Sequence, residues 1–339
     1  MAVDAVTRVL AVNPGSSSLK VSVVDGGESI GQWTVQDWDG MPDPAAVEAV
    51  GPVDAIALRF VHGGDRRGPV LLDPFQENRL RALVPLAPIH QPRSLLLGRA
   101  LRTWWPDTPL VACFDTSFHA DLPPAASTYP IPMEWTRKYG VRRYGFHGLS
   151  CANALRTTAE TLGRHPEDVA MICCHLGSGV SVTAIDGGHS IDTSMGFTPL
   201  DGVPMATRPG ALDPGLVLHL AREMPMDVLD AGLNHHSGLA GMSGTTGDLR
   251  EVLAARAQGC PDADLAARVY LHRLRREIAA VRTSLPRLDA LVLTGGVAEH
   301  QPGLLDELAQ GLEFLGVAPT VTPAREDLEM ARQTEEILH

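Results

Sequence analysis

Val9-Leu-Ala-Val-Asn-Pro-Gly-Ser-Ser-Ser-Leu-Lys-Val-Ser-Val-Val-Asp-Gly-Gly27 is the stretch that decides the fold, because it recurs as Met171-Ile-Cys-Cys-His-Leu-Gly-Ser-Gly-Val-Ser-Val-Thr-Ala-Ile-Asp-Gly-Gly188. Each copy has an apolar run, a Gly/Ser loop, a second apolar run and an Asp-Gly-Gly turn. Both turns continue into a Ser-Ile pair, Ser29-Ile30 and Ser190-Ile191. This pattern predicts two strand-loop-strand hairpins. A repeat of this kind also argues for two related domains with a cleft between them.

The loops of the two hairpins have the composition of anion-binding loops. Glycine at Gly15, Gly177 and Gly179 lets backbone N–H groups approach an anion closely. Serine hydroxyls add donors at Ser16, Ser17, Ser18 and Ser178, and Lys20 adds a mobile positive charge. A plain hairpin turn is the alternative, since Gly and Ser dominate such turns. The recurrence with matched flanks favours phosphate binding.

Size and composition indicate an ordinary globular protein with two domains. The chain has 339 residues, of which 44% are hydrophobic and 20% charged. Its net charge is -12, and no sustained basic stretch offsets it, which argues against a nucleic-acid partner or an anionic membrane surface. The N-terminus lacks the pattern of a signal peptide, and no apolar run reaches the ~18 residues of a membrane span. We therefore expect a cytoplasmic protein.

The five cysteines do not have the spacing of a metal site. They are Cys113, Cys151, Cys173, Cys174 and Cys260. The adjacent pair at positions 173 and 174 lies within an apolar run. We expect reduced, buried thiols.

Strand-like and helix-like runs alternate along the chain, which predicts an α/β layer fold. Strands are expected at Val9–Val12, Val21–Val24, Ala55–Val61, Leu110–Ala112, Ala170–Cys174, Val180–Ile185 and Leu288–Leu293. Helices are expected at Asp73–Leu83, Ser94–Trp104, Ala152–Thr161, Leu212–Glu223, Asp248–Ala257, Asp262–Ser284 and Glu326–Leu338, and the Pro-rich stretch Pro123–Pro132 is expected to be a surface loop. The predicted domains are residues 1–150, completed by the C-terminal helix 326–339, and residues 151–325.

Four residues in glycine-rich or strand-end positions are candidates for chemistry. Arg59 precedes Val61-His62-Gly63-Gly64, and Arg208 lies in the tight loop Ala206-Thr-Arg-Pro-Gly210. Each could be a surface arginine, which is the commoner place for this residue, but its position among glycine turns favours a role in a site. Asp115 follows an apolar strand, where α/β proteins present catalytic carboxylates, although an N-cap is equally compatible. His147, between Phe146 and Gly148, could be structural or could donate to a transferring phosphoryl group.

Together these segments resemble the acetate kinase family of the superfamily of sugar kinases, heat-shock ATPases and actin. The matching segments occur in order at Asn13–Lys20, Arg59–Gly64, Pro85–His90, Phe114–His119, Arg143–Gly148, His175–Gly179, Ile191–Gly202, Thr207–Gly210, Ser237–Arg250 and Leu293–Glu299. The segment Ile191-Asp-Thr-Ser-Met-Gly-Phe-Thr-Pro-Leu200 is the most distinctive. The resemblance implies two duplicated actin-like ATPase (ribonuclease H-like) domains.

The resemblance also implies a reaction and its participants. The enzyme would transfer the γ-phosphoryl group of ATP to acetate reversibly, giving acetyl phosphate and ADP, with Mg²⁺ or Mn²⁺. A homodimer formed through the second domain is the family precedent.

Position by position, the resemblance assigns roles to the candidate residues. Arg59 and Arg208 would hold the carboxylate and the transferring phosphoryl group, Asp115 would orient or activate the carboxylate, and His147 would stabilise the transition state. Asn13 and Glu326 would organise the metal. The acyl pocket would consist of Val61, Ile89, Phe146 and Pro199, together with Arg59 as the carboxylate ligand. The nucleotide would lie against Lys20, His175, Gly177, Ser178, Gly179, Asp248, Leu249, Arg250, Gly295, Gly296, Val297 and Ala298.

The chain departs from the family pattern at four places. The chain is short between Lys20 and Arg59, and Ser178 replaces an asparagine. Ala298 and His300 replace a glycine and an amide-bearing residue, while Leu149 and Cys151 replace a threonine and a histidine. Because several changes lie on the nucleotide side, an acyl kinase with another donor such as pyrophosphate is one alternative. A propionate preference and a non-catalytic protein that binds nucleotide or acyl phosphate are the others.

Overall fold

The computed structural model describes residues 8–15, 18–36, 38 and 50–339. Ser16 and Ser17 of the first predicted loop lie outside these described residues. Within the described part of the chain, no helix combines the length and the apolar character needed to cross a membrane.

Eleven strands and thirteen α-helices account for most of the described residues. The strands are β1 Arg8–Pro14, β2 Ser18–Asp25, β3 Glu28–Gln36, β4 Ala55–Phe60, β5 Val70–Leu71, β6 Leu110–Phe114, β7 Met171–Leu176, β8 Val180–Asp186, β9 His189–Thr193, β10 Ala290–Thr294 and β11 Pro319–Val321. The helices are α1 Pro74–Arg81, α2 Gln91–Trp104, α3 Pro124–Ser127, α4 Met133–Tyr139, α5 Gly148–Leu162, α6 Pro214–Glu223, α7 Met226–His235, α8 Gly238–Ser243, α9 Leu249–Ala257, α10 Pro261–Arg282, α11 Gly296–His300, α12 Pro302–Ala309 and α13 Glu326–Leu338.

Contacts divide the described residues into two compact units. Unit 1 contains the described residues up to Ala120, together with Phe146–Asn153 and Arg325–His339. Unit 2 contains Asp121–Gly145 and Ala154–Ala324. The domain limits given above stay a prediction.

Each unit contains one sheet, and the two sheets have corresponding strand orders. Unit 1 has the order β3-β2-β1-β4-β6-β5, and unit 2 has the order β11-β10-β7-β8-β9. In both, the repeated motif forms an antiparallel three-stranded meander, and its first strand pairs in parallel with the next strand of the sheet. The duplicated α/β fold expected from the repeat is therefore confirmed at the level of topology.

The repeated Ser-Ile pair forms the same β-bulge in both sheets. In unit 1, Val24 pairs with Ser29 while Val23 pairs with Gly31, so Ile30 is the extra residue. In unit 2, Ile185 pairs with Ser190 while Ala184 pairs with Asp192, so the extra residue is again the isoleucine of the pair. A bulge increases the local twist of a strand pair. The sequence repeat thus extends to an irregularity of the sheet.

The first sheet is covered on both faces, which explains the continuous apolar run of β1. Leu10 and Val12 point into a large core that includes Leu58 of β4 and Leu97 of α2. Their neighbours in the strand belong to a second core on the opposite face, which consists of Val9, Ala11, Val24, Ala57, Val111, Cys113, Leu149, Met330 and Ala331. The small side chains on this face allow α13 to lie close to the strands. The C-terminal helix therefore packs on unit 1.

Most predicted strands and helices lie where the sequence placed them, with ends shifted by a few residues. The predicted loop Pro123–Pro132 differs in part, because Pro124–Ser127 forms the short helix α3. Cys113, Cys151, Cys173 and Cys174 are buried, Cys260 is partly exposed, and none of the five forms a disulfide.

Candidate active site

Three polar side chains meet at the carboxyl ends of neighbouring strands in unit 1. Asn13 lies near the end of β1, Arg59 near the end of β4, and Asp115 directly after β6. Because β1 pairs in parallel with β4 and β4 with β6, these strand ends lie side by side. This edge of an α/β sheet is where ligands bind in open α/β folds.

Arg59 is the centre of the cluster. Its Nε donates to Asp115 Oδ1 at 2.8 Å and its Nη2 donates to Asp115 Oδ2 at 2.6 Å. Its Nη1 donates to Asn13 Oδ1 at 2.8 Å. A guanidinium has five N–H donors, so two remain for a ligand. Asp115 therefore holds Arg59 in a fixed, bidentate orientation.

Glu326 joins the cluster from the first turn of α13. Its Oε2 accepts a hydrogen bond from Asn13 Nδ2 at 2.6 Å and lies 3.6 Å from Arg59 Nη1. Two carboxylates therefore face one guanidinium, which leaves the cluster with one net negative charge. A cluster of this charge favours an additional cation.

The charges of the cluster shift the pKa values of its members. Burial raises the pKa of Asp115, which is 1% exposed, and the nearby Glu326 adds to the rise. The Arg59 guanidinium and the backbone N–H of His147 oppose it by favouring the carboxylate. Burial alone would lower the pKa of Arg59, but Asp115 and Glu326 outweigh burial and raise it. Because both oxygens of Asp115 accept from Arg59, the geometry is that of an ion pair.

His147 has the only positive φ of a non-glycine residue among the described positions, at 58°. Its backbone N–H donates to the Asp115 carboxylate, and the N–H of Gly148 donates to the Asp115 carbonyl at 2.9 Å. A Cβ at Gly148 would lie 2.3 Å from that carbonyl oxygen, so only glycine fits there. Strained backbone of this kind persists only where neighbouring groups hold it, and it concentrates at functional sites.

Two of the four predicted acyl-pocket residues lie close to this strained segment. Phe146 is buried, and its ring packs edge-on against His62 with ring centroids 5.7 Å apart. Val61, which precedes His62, is also buried. Ile89 is partly buried in the segment before α2. The fourth residue, Pro199, belongs to unit 2.

Arg208 in unit 2 has a very different environment from Arg59. Its Nη1 donates to the carbonyl of Pro199 at 2.8 Å, and no described carboxylate forms an ion pair with it. Burial lowers the pKa of Arg208 to about 10. The guanidinium therefore stays charged at neutral pH, and its charge is not neutralised by the protein. A partly buried positive charge without a carboxylate partner is suited to an anionic ligand.

The second Gly/Ser loop and the third glycine turn are adjacent in unit 2. His175 at the end of β7 is in register with Thr294 at the end of the parallel strand β10. Gly295 follows with φ 92°, and a Cβ there would lie 2.7 Å from the carbonyl oxygen of Leu176. Gly177 and Gly179 close their loop with an N–H···O bond of 2.9 Å. The carboxyl ends of two parallel strands thus carry the two glycine turns side by side.

The remaining nucleotide-side candidates extend this region of unit 2. The exposed Ser178 accepts the N–H of Ala206 at its carbonyl, and a Cβ at Gly247 would lie 2.3 Å from the Ala206 carbonyl oxygen. The loop before α9 is therefore in contact with the segment that holds the Ser178 loop. Asp248 is the N-cap of α9 and forms an ion pair with Arg250.

The other nucleotide-side candidates differ in exposure. Leu249 and Ala298 are buried and Gly296 is exposed, whereas Val297 is partly buried. Lys20 in unit 1 is exposed on β2, opposite Asn13 in register.

Two buried residues of unit 1, Gln91 and His119, were not predicted from the sequence as parts of the site. Gln91 holds both polar atoms of the His62 backbone, with its Nε2 donating to the His62 carbonyl at 2.9 Å. His119 is fully buried, and its Nε2 lies 2.9 Å from the carbonyl oxygen of Phe146. His119 belongs to the matching segment Phe114–His119, and Gln91 directly follows the segment Pro85–His90. No spacing rule predicts their contacts with residues so distant in the sequence.

Comparison with known proteins places these features in a family. The model of the acetokinase family matches residues 39–335. The acetate kinase of Synechococcus sp. is 44% identical over 286 residues, which cover 83% of this chain and 69% of that protein. The crystal structure of Porphyromonas gingivalis acetate kinase superposes with a TM-score of 0.88 at 29% identity, covering 98% of this chain and 100% of that chain. A propionate kinase from Francisella tularensis gives the same TM-score and identity, covering 96% and 98%.

Proposed function

Because the chain belongs to the acetokinase family, we propose that it transfers the γ-phosphoryl group of ATP to acetate, giving acetyl phosphate and ADP in a reversible reaction. The cluster of Asn13, Arg59, Asp115 and Glu326 is the observation that carries the proposal. A protein that only senses its ligand does not need an oriented arginine, two carboxylates and a strained histidine in one place.

The proposed reaction is an attack of an acetate oxygen on the γ-phosphorus. The bond from phosphorus to the bridging oxygen breaks, and ADP leaves. Catalysis of such a transfer depends on positioning and on neutralising charge rather than on covalent chemistry by the protein. The two remaining N–H groups of Arg59 bind the acetate carboxylate. Asp115 fixes the plane of the guanidinium, and thereby the direction of these donors.

His147 and Arg208 act on the charge of the transferring group in this proposal. Preorganised donors are most effective where charge develops in the transition state, in surroundings from which water is excluded. Arg208 is suited to this role, because it is partly buried and its charge has no carboxylate partner among the described residues. His147 is preorganised because its backbone N–H donates to the Asp115 carboxylate and its carbonyl accepts from the Cys151 N–H at 2.9 Å before substrate arrives.

Asn13 and Glu326 fit a divalent cation. Carboxylate and amide oxygens are the ligands that Mg²⁺ prefers, and Mg²⁺ in such enzymes takes one or two protein ligands and completes its shell with phosphate oxygens and water. The net negative charge of the cluster supports a cation there. No described group of three or more His, Cys, Asp or Glu offers a complete protein cage. When bound, Mg²⁺ or Mn²⁺ would neutralise charge on the phosphate oxygens.

The nucleotide lies, in this proposal, along the glycine turns of unit 2. The N–H groups of the His175–Gly179 loop contact phosphate, with Lys20 as a further cation. The segments Asp248–Arg250 and Gly295–Ala298 line the nucleoside. Ala298 is buried within unit 2, and the His300 ring bonds to the Gly296 carbonyl at 2.8 Å, so the two substituted residues are part of the turn itself.

The residues proposed to contact the acyl group are the apolar side chains of Val61, Ile89 and Phe146 in unit 1 and Pro199 in unit 2. An apolar pocket discriminates against one extra methylene by only about 1–3 kcal/mol, so propionate is a slower substrate rather than an excluded one. The equal similarity to a propionate kinase makes propionate the second candidate acceptor.

A panel of donors and acceptors tests the proposal directly. Purified protein is incubated with Mg²⁺, hydroxylamine, ATP or pyrophosphate, and acetate or propionate, and the acyl hydroxamate is measured. We expect most product from ATP with acetate, less from ATP with propionate, and none from pyrophosphate. If only pyrophosphate gave product, the assignment of ATP as the donor would be wrong. A larger kcat/KM for propionate than for acetate would contradict acetate as the preferred acceptor. No product from any pair would favour a binding protein.

A second copy of this chain binds through unit 2, where α6 and α7 expose several apolar side chains. The protein works in the cytoplasm, where ATP is supplied and where thiols such as the five cysteines stay reduced.

A further inference from the structure

His119 is a fully buried histidine next to the candidate active site for which the reaction above has no use. It ends a short 3₁₀ turn, Ser117–His119, that follows β6. Its Nε2 lies 2.9 Å from the carbonyl oxygen of Phe146. A carbonyl oxygen can only accept a hydrogen bond, so the Nε2 atom must carry the proton.

The peptide group that His119 contacts is also the one that begins the strained segment. Its carbonyl belongs to Phe146 and its N–H belongs to His147, whose φ is 58°. The N–H donates to the Asp115 carboxylate, while the carbonyl accepts from His119. Both polar atoms of one peptide group are therefore held by the segment that follows β6. These two contacts fix the rotation of the Phe146–His147 peptide plane, and therefore the directions in which the side chains of Phe146 and His147 project.

We infer that His119 is a positioning residue, which through the Phe146–His147 peptide sets the place of the transition-state donor His147 and of the acyl-pocket wall Phe146. The inference rests on the proposed function, because that function assigns the roles of these two side chains. His119 itself does not touch the substrate.

The hydrogen bond is maintained under working conditions. Burial lowers the pKa of His119 to about 4, so the ring is neutral near neutral pH. A neutral imidazole has one N–H donor, and the contact with Phe146 places it on Nε2. This hydrogen bond, the His119 anchor, therefore does not depend on the protonation state of any group in the reaction.

Two substitutions separate the hydrogen bond from the packing. His119→Gln keeps an N–H donor at about the reach of Nε2, whereas His119→Phe keeps an aromatic ring of similar size without the donor. We expect His119→Phe to lower kcat with acetate about 10- to 100-fold, as for loss of an orienting partner. The KM for ATP should change less than about twofold, because the nucleotide candidates are largely on unit 2. His119→Gln should recover most of the loss.

Acceptor choice gives a second readout. A looser Phe146 wall in His119→Phe should raise the ratio of kcat/KM for propionate to that for acetate, and His119→Gln should restore the ratio. A purely structural role for His119 would lower the active fraction in both variants and leave the KM values and this ratio unchanged. That result, or equal activity of the Phe and Gln variants, would overturn the inference.

NMR of the wild-type protein labelled with ¹⁵N at histidine tests the anchor without any activity. We expect His119 to show a neutral Nε2–H tautomer, with a slowly exchanging proton, throughout pH 5.5 to 8. An Nδ1–H tautomer would overturn the inference even if the enzyme is active. If the wild-type protein makes no acyl phosphate, the proposed function fails, and the tautomer still decides whether His119 anchors the peptide.

Discussion

At the scale of single residues, the two arginines of the proposed reaction differ in what neutralises them. Arg59 is bound by Asp115 through two hydrogen bonds and lies near Glu326, so its charge is balanced without a ligand. Among the described residues, the Arg208 side chain donates only to the Pro199 carbonyl. Even a partly buried charge without a counter-charge destabilises the folded state, and it is kept where function needs it. The contrast predicts opposite effects on stability and activity at Arg208.

Replacing Arg208 with methionine should stabilise the fold and remove activity. Burial lowers the pKa of Arg208 to about 10, so its charged form is less favoured in the folded protein than in the unfolded chain. We expect Arg208→Met to raise the free energy of unfolding by roughly 0.5–2 kcal/mol. The kcat should fall about 10²- to 10³-fold, as for loss of one oxyanion-type donor. Thermal unfolding and steady-state kinetics on the same preparation measure both.

Arg137→Met is the matched control, because Arg137 is an exposed arginine on α4 of the same unit. It should change neither the unfolding temperature nor kcat noticeably. If Arg208→Met lowers both stability and activity, then Arg208 is a structural residue and its place in the reaction is wrong.

At the scale of elements, Glu77 joins the helices α1 and α2 of unit 1. Its carboxylate accepts from Arg81 one turn further along α1 and from Arg99 on α2, each at 2.7 Å, and also from Arg102 on α2. Burial raises the pKa of Glu77, but the hydrogen bonds from Arg99 and Arg102 outweigh it, and the net shift is downward. The ionised carboxylate therefore stabilises the packing of these two helices.

Glu77→Gln should destabilise the protein in a pH-dependent way. Because the folded pKa lies below the unfolded value of about 4.5, the stabilisation is fully present above that pH and is lost as the pH falls through the folded pKa. We expect a loss of about 1–3 kcal/mol at pH 7 relative to wild type, which shrinks below pH 4.5. Urea unfolding at a series of pH values measures the difference.

Asp65→Asn serves as the control for Glu77→Gln, since Asp65 forms an exposed 3.6 Å ion pair with Arg79 on α1. Exposed pairs contribute little, so this variant should unfold like wild type at every pH. A Glu77→Gln loss that stays constant down to pH 3 would mean that packing, and not the charge, links the helices.

Some elements of the fold can be predicted from the sequence, and others depend on contacts between distant residues. Both meanders are predictable, because the apolar runs and Asp-Gly-Gly turns are local signals. The Ser-Ile pair was visible as part of the repeat, but its role as a bulge depends on strand pairing. The short edge strands β5 and β11 lack a strong apolar pattern, and sequence did not predict them. The Arg59–Asp115 pair joins positions 56 apart, so only the parallel pairing of β4 and β6 brings these side chains together.

At the scale of the whole molecule, the proposed dimer depends on a patch of apolar side chains on unit 2. The patch consists of Leu216 and Leu218 of α6 and Met226 and Val228 of α7, all exposed. Large exposed apolar patches on a soluble chain mark interaction sites. A homodimer buries the same patch of both copies against each other. This accounts for a helix, α6, in which no residue is fully buried within one chain.

A charged residue in this patch should dissociate the dimer. One chain has a mass of 36.2 kDa, so light scattering should give twice that mass, 2 × 36.2 = 72.4 kDa, for wild type. Leu218→Glu, which changes a side chain that is 59% exposed, should give the mass of one chain because a buried, unpaired carboxylate is costly. Phe314→Glu is the matched control, since Phe314 is 67% exposed on unit 2 but outside the patch, and this variant should stay dimeric. A monomeric wild type at micromolar concentration would contradict the dimer. Dissociation by Phe314→Glu and not by Leu218→Glu would place the interface outside the patch.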